Sequence, residues 1–327
     1  MAINLGPLTI ADPVFLAPMS GISDRPFRRM ARRHGGVVAF SEMIASRELI
    51  HAGTRSLRQA AADRDELLAV QLAGREPEVL ADAARLAVDL GAQIIDINFG
   101  CPARKVVAGQ CGSALMREPD LARRLIEATV KAVNVPVTVK MRTGWDDRTR
   151  NAPQFARMAE ASGAQMVTVH GRTRNQFYDG RADWAFVCEV KNAVRLPVIV
   201  NGDILTRDDA HQALRASGAD GVMIGRGARG RPWFLRQVAQ SLRGETPSAD
   251  PRAQDRAAII EEHYDAMLAE EGPRQGLRIA RKHLVWYLAD VAGGTILGRD
   301  LVRCDDPGDV RRALRQFFDR PSFAEAA

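Results

Sequence analysis

Eight short runs of branched apolar residues recur along the first two thirds of the chain, and their spacing constrains the fold more than any other feature. They are VFLA from Val14, VVAF from Val37, LLAVQL from Leu67 and IIDIN from Ile94, then VTVKM from Val137, MVTVH from Met166, VIVNG from Val198 and GVMIG from Gly221. Each is bounded by Gly, Pro or polar residues, the pattern of parallel strands buried on both faces. Helical periodicity lies between them. Pro77 to Asp89 sets Val79, Ala83 and Leu86 on one stripe that continues to Leu90. Pro119 to Ala132 opens with a proline, and Thr206 to Ala216 opens with Thr206 and two aspartates. Dividing residues 14–224 among eight strand–helix units gives roughly 26 residues each, which suits a closed (β/α)8 barrel better than an open doubly wound sheet.

The barrel is expected to fill residues 1–243. GETPSADP, residues 244–251, has turn formers and no periodicity, the signature of a linker. Residues 252–327 carry helical patterns only, including Ala257–Ala269 and Gly276–Ala289, and are expected to form a small helical domain. At 46% hydrophobic and 26% charged residues the composition excludes disordered and fibrous classes. No apolar run approaches the roughly 18 residues of a spanning helix, so no membrane partner is expected. The opening MAINLGPLTI lacks a basic stretch and a cleavage site, which points to the cytoplasm. Four cysteines (Cys101, Cys111, Cys188 and Cys304) are too few for a disulfide framework, and none has metal-ligand spacing, so no metal site is expected.

In such a barrel the chemistry sits where strands end. Here the ends are Pro18, Met19 and Ser20; Ser41 and Glu42; Gln71; Asn98 through Pro102; Lys140 and Arg142; His170 and Arg172; Asn201, Gly202 and Asp203; and Gly225 with Arg226. All eight deliver polar groups to one rim. The last two ends are rich in glycine, which lets backbone N–H groups approach a phosphate, and Arg226 adds a charged donor. Lys140 beside a ring system would stabilise negative charge, as on the N1–C2=O edge of a reduced flavin, and Gln71 offers a donor and an acceptor to the same ring. A charged lysine in an apolar strand is costly unless a ligand faces it. GRGARG at 225–230 matches a dinucleotide fingerprint, but Glu245 falls in the linker with no strand before it, so that reading fails. Cys188 and Cys304 read as small hydrophobes. Cys101, between Gly100 and Pro102 above the rim, reads equally well as structural or functional on position alone, and His170 at a strand end leans toward function.

LAPMSGISDRPFR, DINFGCP, VKMRTGW, VHGRTR, VNGDI and IGRGARGRPW, in this order and each at a strand end, together resemble the tRNA-dihydrouridine synthases. The likeness is greatest to the bacterial B subgroup, the nitrogen-regulation-like proteins, and RIARKHLVWYL at 278–288 resembles that family's helical motif. The resemblance implies an FMN enzyme that reduces uridine to 5,6-dihydrouridine in the tRNA D-loop, at the seventeenth nucleotide, with NADPH restoring the flavin in a ping-pong cycle. It implies that Pro18, Met19, Ser20, Gln71, Lys140 and His170 contact the flavin ring, while Asn201, Gly202, Asp203, Gly225 and Arg226 hold its phosphate. Asn98 would position the uracil, with Arg142 and Arg172 also on the substrate side, and Cys101 would be the proton donor. Cys111 departs from the family's loop.

The residue types suit that chemistry. Hydride addition at uracil C6 builds an enolate across C5–C4–O4, which needs a proton at C5, and a thiol is mostly protonated at pH 7. Arg104 and Lys105 nearby would favour thiolate unless they turn toward RNA or the bound substrate tunes acidity. The net charge of +6 permits a polyanionic partner. From Gly272 to Arg299 five basic residues (Arg274, Arg278, Arg281, Lys282 and Arg299) face one acid, Asp290. Arg274, Arg278 and Arg281 or Lys282 share a helical face opposite Leu277, Leu284 and Leu288, the stripe expected to bind tRNA, and Arg172, Arg174 and Arg181 near Tyr178 extend it toward the flavin. A monomer is expected. Two other readings are a flavin barrel acting on a free small molecule, which leaves the stripe without purpose, and a flavin-free RNA-binding protein on the same scaffold.

Overall fold

The computed structural model describes residues 2–63 and 66–320, so Met1 and residues 321–327 of the expected helical region lie outside the described residues. The eight expected strands are all present. They are β3 (Val14–Leu16), β4 (Val38–Phe40), β6 (Leu68–Ala73), β7 (Ile94–Phe99), β8 (Val137–Arg142), β9 (Met166–His170), β10 (Val198–Asn201) and β11 (Gly221–Ile224). Every neighbouring pair is parallel, and β11 pairs back onto β3, closing a (β/α)8 barrel. Helices α1 (Arg25–Met30), α2 (Ser46–Ile50), α3 (Thr54–Ala60), α4 (Pro77–Asp89), α5 (Arg104–Ala108), α6 (Pro119–Ala132) and α7 (Ala152–Ala161) lie between strands. So do α8 (Trp184–Ala193) and α9 (Arg207–Ser217), and α10 (Phe234–Leu242) follows the last. Prolines at the starts of α4 and α6 and a Thr206–Asp209 capping box on α9 set their first turns where the sequence places them.

Two features were not legible in the sequence. A hairpin of β1 (Ile3–Leu5) and β2 (Leu8–Ile10) precedes the barrel, and Ile3, Leu5 and Ile10 pack with the apolar residues inside its lower end. A two-residue strand, β5 (Ile44–Ala45), pairs with β6 beyond the end of β4. Both are too short to show a period.

Alternation along the strands layers the barrel interior. Val139, Val167, Val200 and Val222 face the helices, while Phe15, Ala69, Ile94, Met166, Ile199 and Met223 fill the lower barrel. Above that plug the inward positions turn polar. Register sets Asp96 beside Gln71 and Thr138, Lys140 beside Asn98 and Thr168, and His170 beside Arg142 and Asn201.

After α10 the chain has no helix or strand until α11 (Ala253–Glu271), which is followed by α12 (Pro273–Leu288), α13 (Gly294–Leu301) and α14 (Pro307–Phe318). The first two begin several residues before the periodic patterns do, because the exposed first turns carry no apolar stripe. These helices bury their own core of Ile260, Tyr264, Leu284, Leu314 and Phe317. Gly230, at φ +66°, lies against the Trp286 backbone, where a Cβ would come within 2.4 Å, so the barrel's exit and α12 meet closely. None of the helices described is long and apolar enough to cross a membrane.

Candidate active site

One cleft of about 370 Å³ opens at the carboxyl ends of the strands, over the polar layer. All eleven residues expected around the flavin line it: Pro18, Met19, Ser20, Gln71, Lys140, His170, Asn201, Gly202, Asp203, Gly225 and Arg226. Asn98, Cys101 and Arg142 line it as well. Arg172, Arg278, Arg281 and Lys282 do not. Met43, Phe177, Tyr178 and Arg229 are among the other residues of the wall; Met43 and Phe177 carry no polar signal that sequence reading would weigh.

Lys140 is held in the strand interior with Nζ on Asn201 Oδ1 at 3.0 Å. Burial, and then Arg142, bring its ammonium down to about 8, with Asp96 and Cys101 opposing. Asn201 is itself fixed by donating to the Met223 carbonyl at 2.8 Å. His170 is buried with Nδ1 unpartnered, and burial, followed by the charges of Arg142, Lys140, Arg172 and Arg226, holds it well below the usual histidine range. The ring is therefore neutral at pH 7. Gly202, at φ +116°, passes so close to His170 that a Cβ would lie 3.2 Å from Nε2.

The loops after β10 and β11 leave the N–H groups of Asp203, Ile204, Gly225 and Arg226 without a backbone or side-chain acceptor among the described residues. Asp203 takes a left-handed φ of 55°, and its carboxylate accepts from Arg172 at 2.6 and 2.9 Å, from Arg226 at 2.7 Å and from the Ala182 N–H at 2.8 Å. Burial alone would raise this carboxyl, yet those partners hold it below its ordinary value. An ionised carboxylate repels a phosphate, so Asp203 suits an anion site only through its N–H and by aiming Arg226.

Gln71 and Asn98 are also committed within the protein. Gln71 Nε2 donates to Asp96 Oδ2 and its Oε1 accepts from Asn98 Nδ2, both at 2.7 Å. Asn98 Oδ1 accepts the N–H groups of Gly100 at 3.1 Å and Cys101 at 2.9 Å. Cys101 is half-buried, with its carbonyl accepting from the Ser113 N–H and hydroxyl at 3.1 and 2.9 Å. Arg142, buried, donates to the carbonyls of Gly100, Thr173 and Phe177 at 2.7–2.9 Å, tying the Cys101 loop to the segment after β9.

Two expectations are corrected here. Arg172 is not a free rim cation: it is buried and spent on Asp203 and the carbonyls of Asp179 and Gly180. Lys282 does not stand on an open helix face; α12 packs against the barrel, and its Nζ reaches the Gly21 carbonyl beside the Pro18–Ser20 turn. Arg281 binds Asp305 and the Cys304 carbonyl, whereas Arg274 and Arg278 are exposed. Arg104 and Lys105 are exposed on the short α5, and Cys111 is half-buried with Sγ on the Gly109 carbonyl.

A protein-family model described as dihydrouridine synthase matches residues 15–321. The chain belongs to that family. Curated dihydrouridine synthases lie close to it in sequence. A probable tRNA-dihydrouridine synthase of Rhizobium leguminosarum bv. phaseoli is 54% identical over 95% of this chain and 97% of its own. One of Rickettsia conorii is 48% identical over 97% and 96%. The tRNA-dihydrouridine synthase B of Xanthomonas axonopodis pv. citri is 44% identical over 99% and 100%. Among solved structures, histamine dehydrogenase of Rhizobium sp. 4-9 superposes with a TM-score of 0.56 at 13% identity, over 81% of this dihydrouridine synthase and 50% of the longer chain. A 2-naphthoyl-CoA reductase superposes with a TM-score of 0.56 at 12% identity, over 75% and 52%. These two likenesses concern the barrel fold.

Proposed function

We propose that this dihydrouridine synthase reduces the C5–C6 bond of uridine in the D-loop of tRNA, at the seventeenth nucleotide, using FMN and a proton from Cys101. The observation that carries this reading is one cleft in which a half-buried thiol shares the wall with a buried ammonium, a neutral histidine and two glycine turns with free N–H groups. That donor set fits a flavin. The free N–H groups and Arg226 suit the ribityl phosphate, Lys140 suits the electron-rich edge of the ring, and Gly202 keeps a side chain from crowding His170.

When bound, the flavin supplies the hydride equivalent that adds at uracil C6, and NADPH is the reductant that replenishes it. The protein's own work is at C5. There the Cys101 S–H bond breaks and a C5–H bond forms, with the resulting thiolate reprotonated from solvent. Asn98 holds the Cys101 backbone, and Arg142 fixes the loop on its other side. The pyrimidine must leave its stack to enter, so binding depends on contacts elsewhere, which the exposed Arg274 and Arg278 suit. In this reading the enzyme acts as a cytoplasmic monomer, with the barrel through residue 243 catalytic and the helices from 252 binding tRNA.

The test is the colour and turnover of the purified protein. A yellow preparation that forms dihydrouridine on unmodified tRNA with NADPH, and not on free uridine, supports the reading. Turnover on free pyrimidines alone, or a protein that binds tRNA without flavin, overturns it. Mapping dihydrouridines in tRNA from cells lacking this protein identifies the nucleotide.

A further inference from the structure

We propose that Asp96, which does not line the cleft, is a positioning residue for Cys101, acting through a chain of side-chain amides whose polarity it sets. The proposal deepens the reading of Cys101 as proton donor and rests on it. Asp96 is fully buried inside the barrel, and the strand register places it between Gln71 and Thr138. Its Oδ1 accepts the Thr138 hydroxyl at 2.6 Å and its Oδ2 accepts Gln71 Nε2 at 2.7 Å. No guanidinium or ammonium bonds it among the described residues; Lys140, whose charge favours the ionised carboxyl, spends Nζ on Asn201. A buried carboxylate without an ion pair is costly, while the inward positions just below are apolar. Leucine or isoleucine there would bury no charge, but would leave the Thr138 hydroxyl and the Gln71 amide without their acceptor.

Ionised, a carboxylate can only accept. It therefore fixes which end of the Gln71 amide turns inward: the NH₂ group faces Asp96 and the oxygen faces Asn98. That oxygen can only accept, so Asn98 turns its NH₂ toward Gln71 and its own oxygen toward the cleft loop. Asn98 Oδ1 is thus free to take both N–H groups of Gly100 and Cys101. Reversing Gln71 would set its NH₂ against the Asn98 NH₂, and reversing Asn98 would set NH₂ against the Gly100 and Cys101 N–H donors, so either change costs the loop its anchor. Burial pushes the Asp96 carboxyl up to about 6, with Thr138, Gln71 and Lys140 drawing it back, so it is largely ionised at neutral pH.

Two variants separate this role from simple packing. Asp96→Leu fills the space and removes the acceptor. Asp96→Asn keeps an oxygen for Gln71 and can turn its NH₂ toward the Thr138 hydroxyl. Amide hydrogen exchange over residues 98–102, measured on the full chain, should be at least about tenfold faster in Asp96→Leu and within about twofold of wild type in Asp96→Asn. The kcat for dihydrouridine formation should fall about tenfold in Asp96→Leu with the KM for tRNA within about twofold, because a misplaced donor slows chemistry rather than binding. The melting temperature of Asp96→Leu should fall by a few degrees at most, because removing a buried carboxylate offsets the loss of the acceptor for Thr138 and Gln71.

Unchanged exchange in Asp96→Leu overturns the proposal, as does a loss of activity that only parallels a loss of stability. Equal acceleration of exchange in both variants also overturns it. Should Asp96→Leu fail to fold, Gln71→Leu breaks the next link and must accelerate exchange over the same residues; if it does not, the relay is wrong. A wild-type protein that makes no dihydrouridine would sink the functional reading, while the exchange comparison would still decide whether Asp96 orders the Cys101 loop.

Discussion

Asn98 Oδ1 accepts the backbone N–H of Cys101 at 2.9 Å, so the residue proposed to give up a proton is anchored through its main chain while its side chain stays unencumbered in the cleft. Its predecessor, Gly100, is held twice, by Asn98 through its N–H and by Arg142 through its carbonyl. A rigid backbone under a reacting side chain is what proton transfer to a defined carbon needs.

Cys101→Ala is expected to keep the bound flavin and the tRNA affinity and to lower kcat by about 10²-fold or more, the range of a positioned general acid. Flavin absorbance, a tRNA binding titration and dihydrouridine formation on the same preparation check this. Full activity in that variant would remove the thiol from the mechanism.

Asp203→Ala should act on stability and on the anion site together. Arg172 is almost wholly buried and its partner only partly exposed, so removing the carboxylate leaves an unpaired guanidinium at a cost of about 3 kcal/mol. Arg226 also loses its guide, and the purified variant should carry less flavin. Denaturant unfolding with flavin quantitation measures both effects; an unaffected midpoint would contradict the buried-pair argument.

Acid should destabilise the helical region through two buried histidines. His263 and His283 meet edge to face with ring centres 4.8 Å apart, between α11 and α12 and against Phe27 of α1, and both nitrogens of His283 lack partners. Burial brings His263 down to about 3 and His283 well below the usual value, where His263, Lys282 and Arg229 depress it further. Folded values below the unfolded one mean that the stability is complete above about pH 6.5 and is lost as pH falls toward the folded values, at about 1.4 kcal/mol per pH unit for each ring. His283→Phe should flatten that dependence between pH 6.5 and 5 in chemical unfolding. An unaltered slope would show that other groups govern it.

Binding of tRNA should weaken steeply with salt, and the exposed Arg278 should contribute more than Arg281, which is already engaged by Asp305 and the Cys304 carbonyl. Arg278→Ala is expected to lower affinity and to reduce the slope of log K against log salt by about 1, leaving Arg281→Ala closer to wild type. Equal slopes in all three proteins would place the RNA on a different face.

Lys140→Met should be at least as stable as wild type at pH 7, because it removes a buried charge whose folded value of about 8 lies below that of an exposed lysine. Flavin content and turnover should both fall. A less stable but fully active variant would assign Lys140 to structure alone.

The barrel was legible because buried parallel strands announce themselves as short branched apolar runs, and the rim was legible because every one of those apolar runs ends in polar or glycine-rich residues. Eleven residues of the cleft wall could thus be named before any contact was known, while their expected role around a flavin came from the family resemblance. Cys101 stood out by its place between Gly100 and Pro102. Asp96 did not, since one acid inside an apolar run gives no sign of what it meets across the sheet. Arg172 and Lys282 were misjudged for a related reason. A basic residue on a rim or a helix face looks solvated until its neighbours in space, Asp203 for one and Gly21 for the other, are known.

The order of residues by itself determined the eight-strand barrel, the helical segment after it and the ring of polar strand ends, because all three depend on periodicity along the chain. Only the tertiary structure decided which of those groups remain free. Register across strands pairs Asp96 with Gln71, loop closure spends Arg172 on Asp203, and packing of α12 turns Lys282 onto the barrel. Hydrogen bonds between residues far apart in the chain leave no period in the sequence, so the division between bound and available polar groups appears only once the barrel has closed.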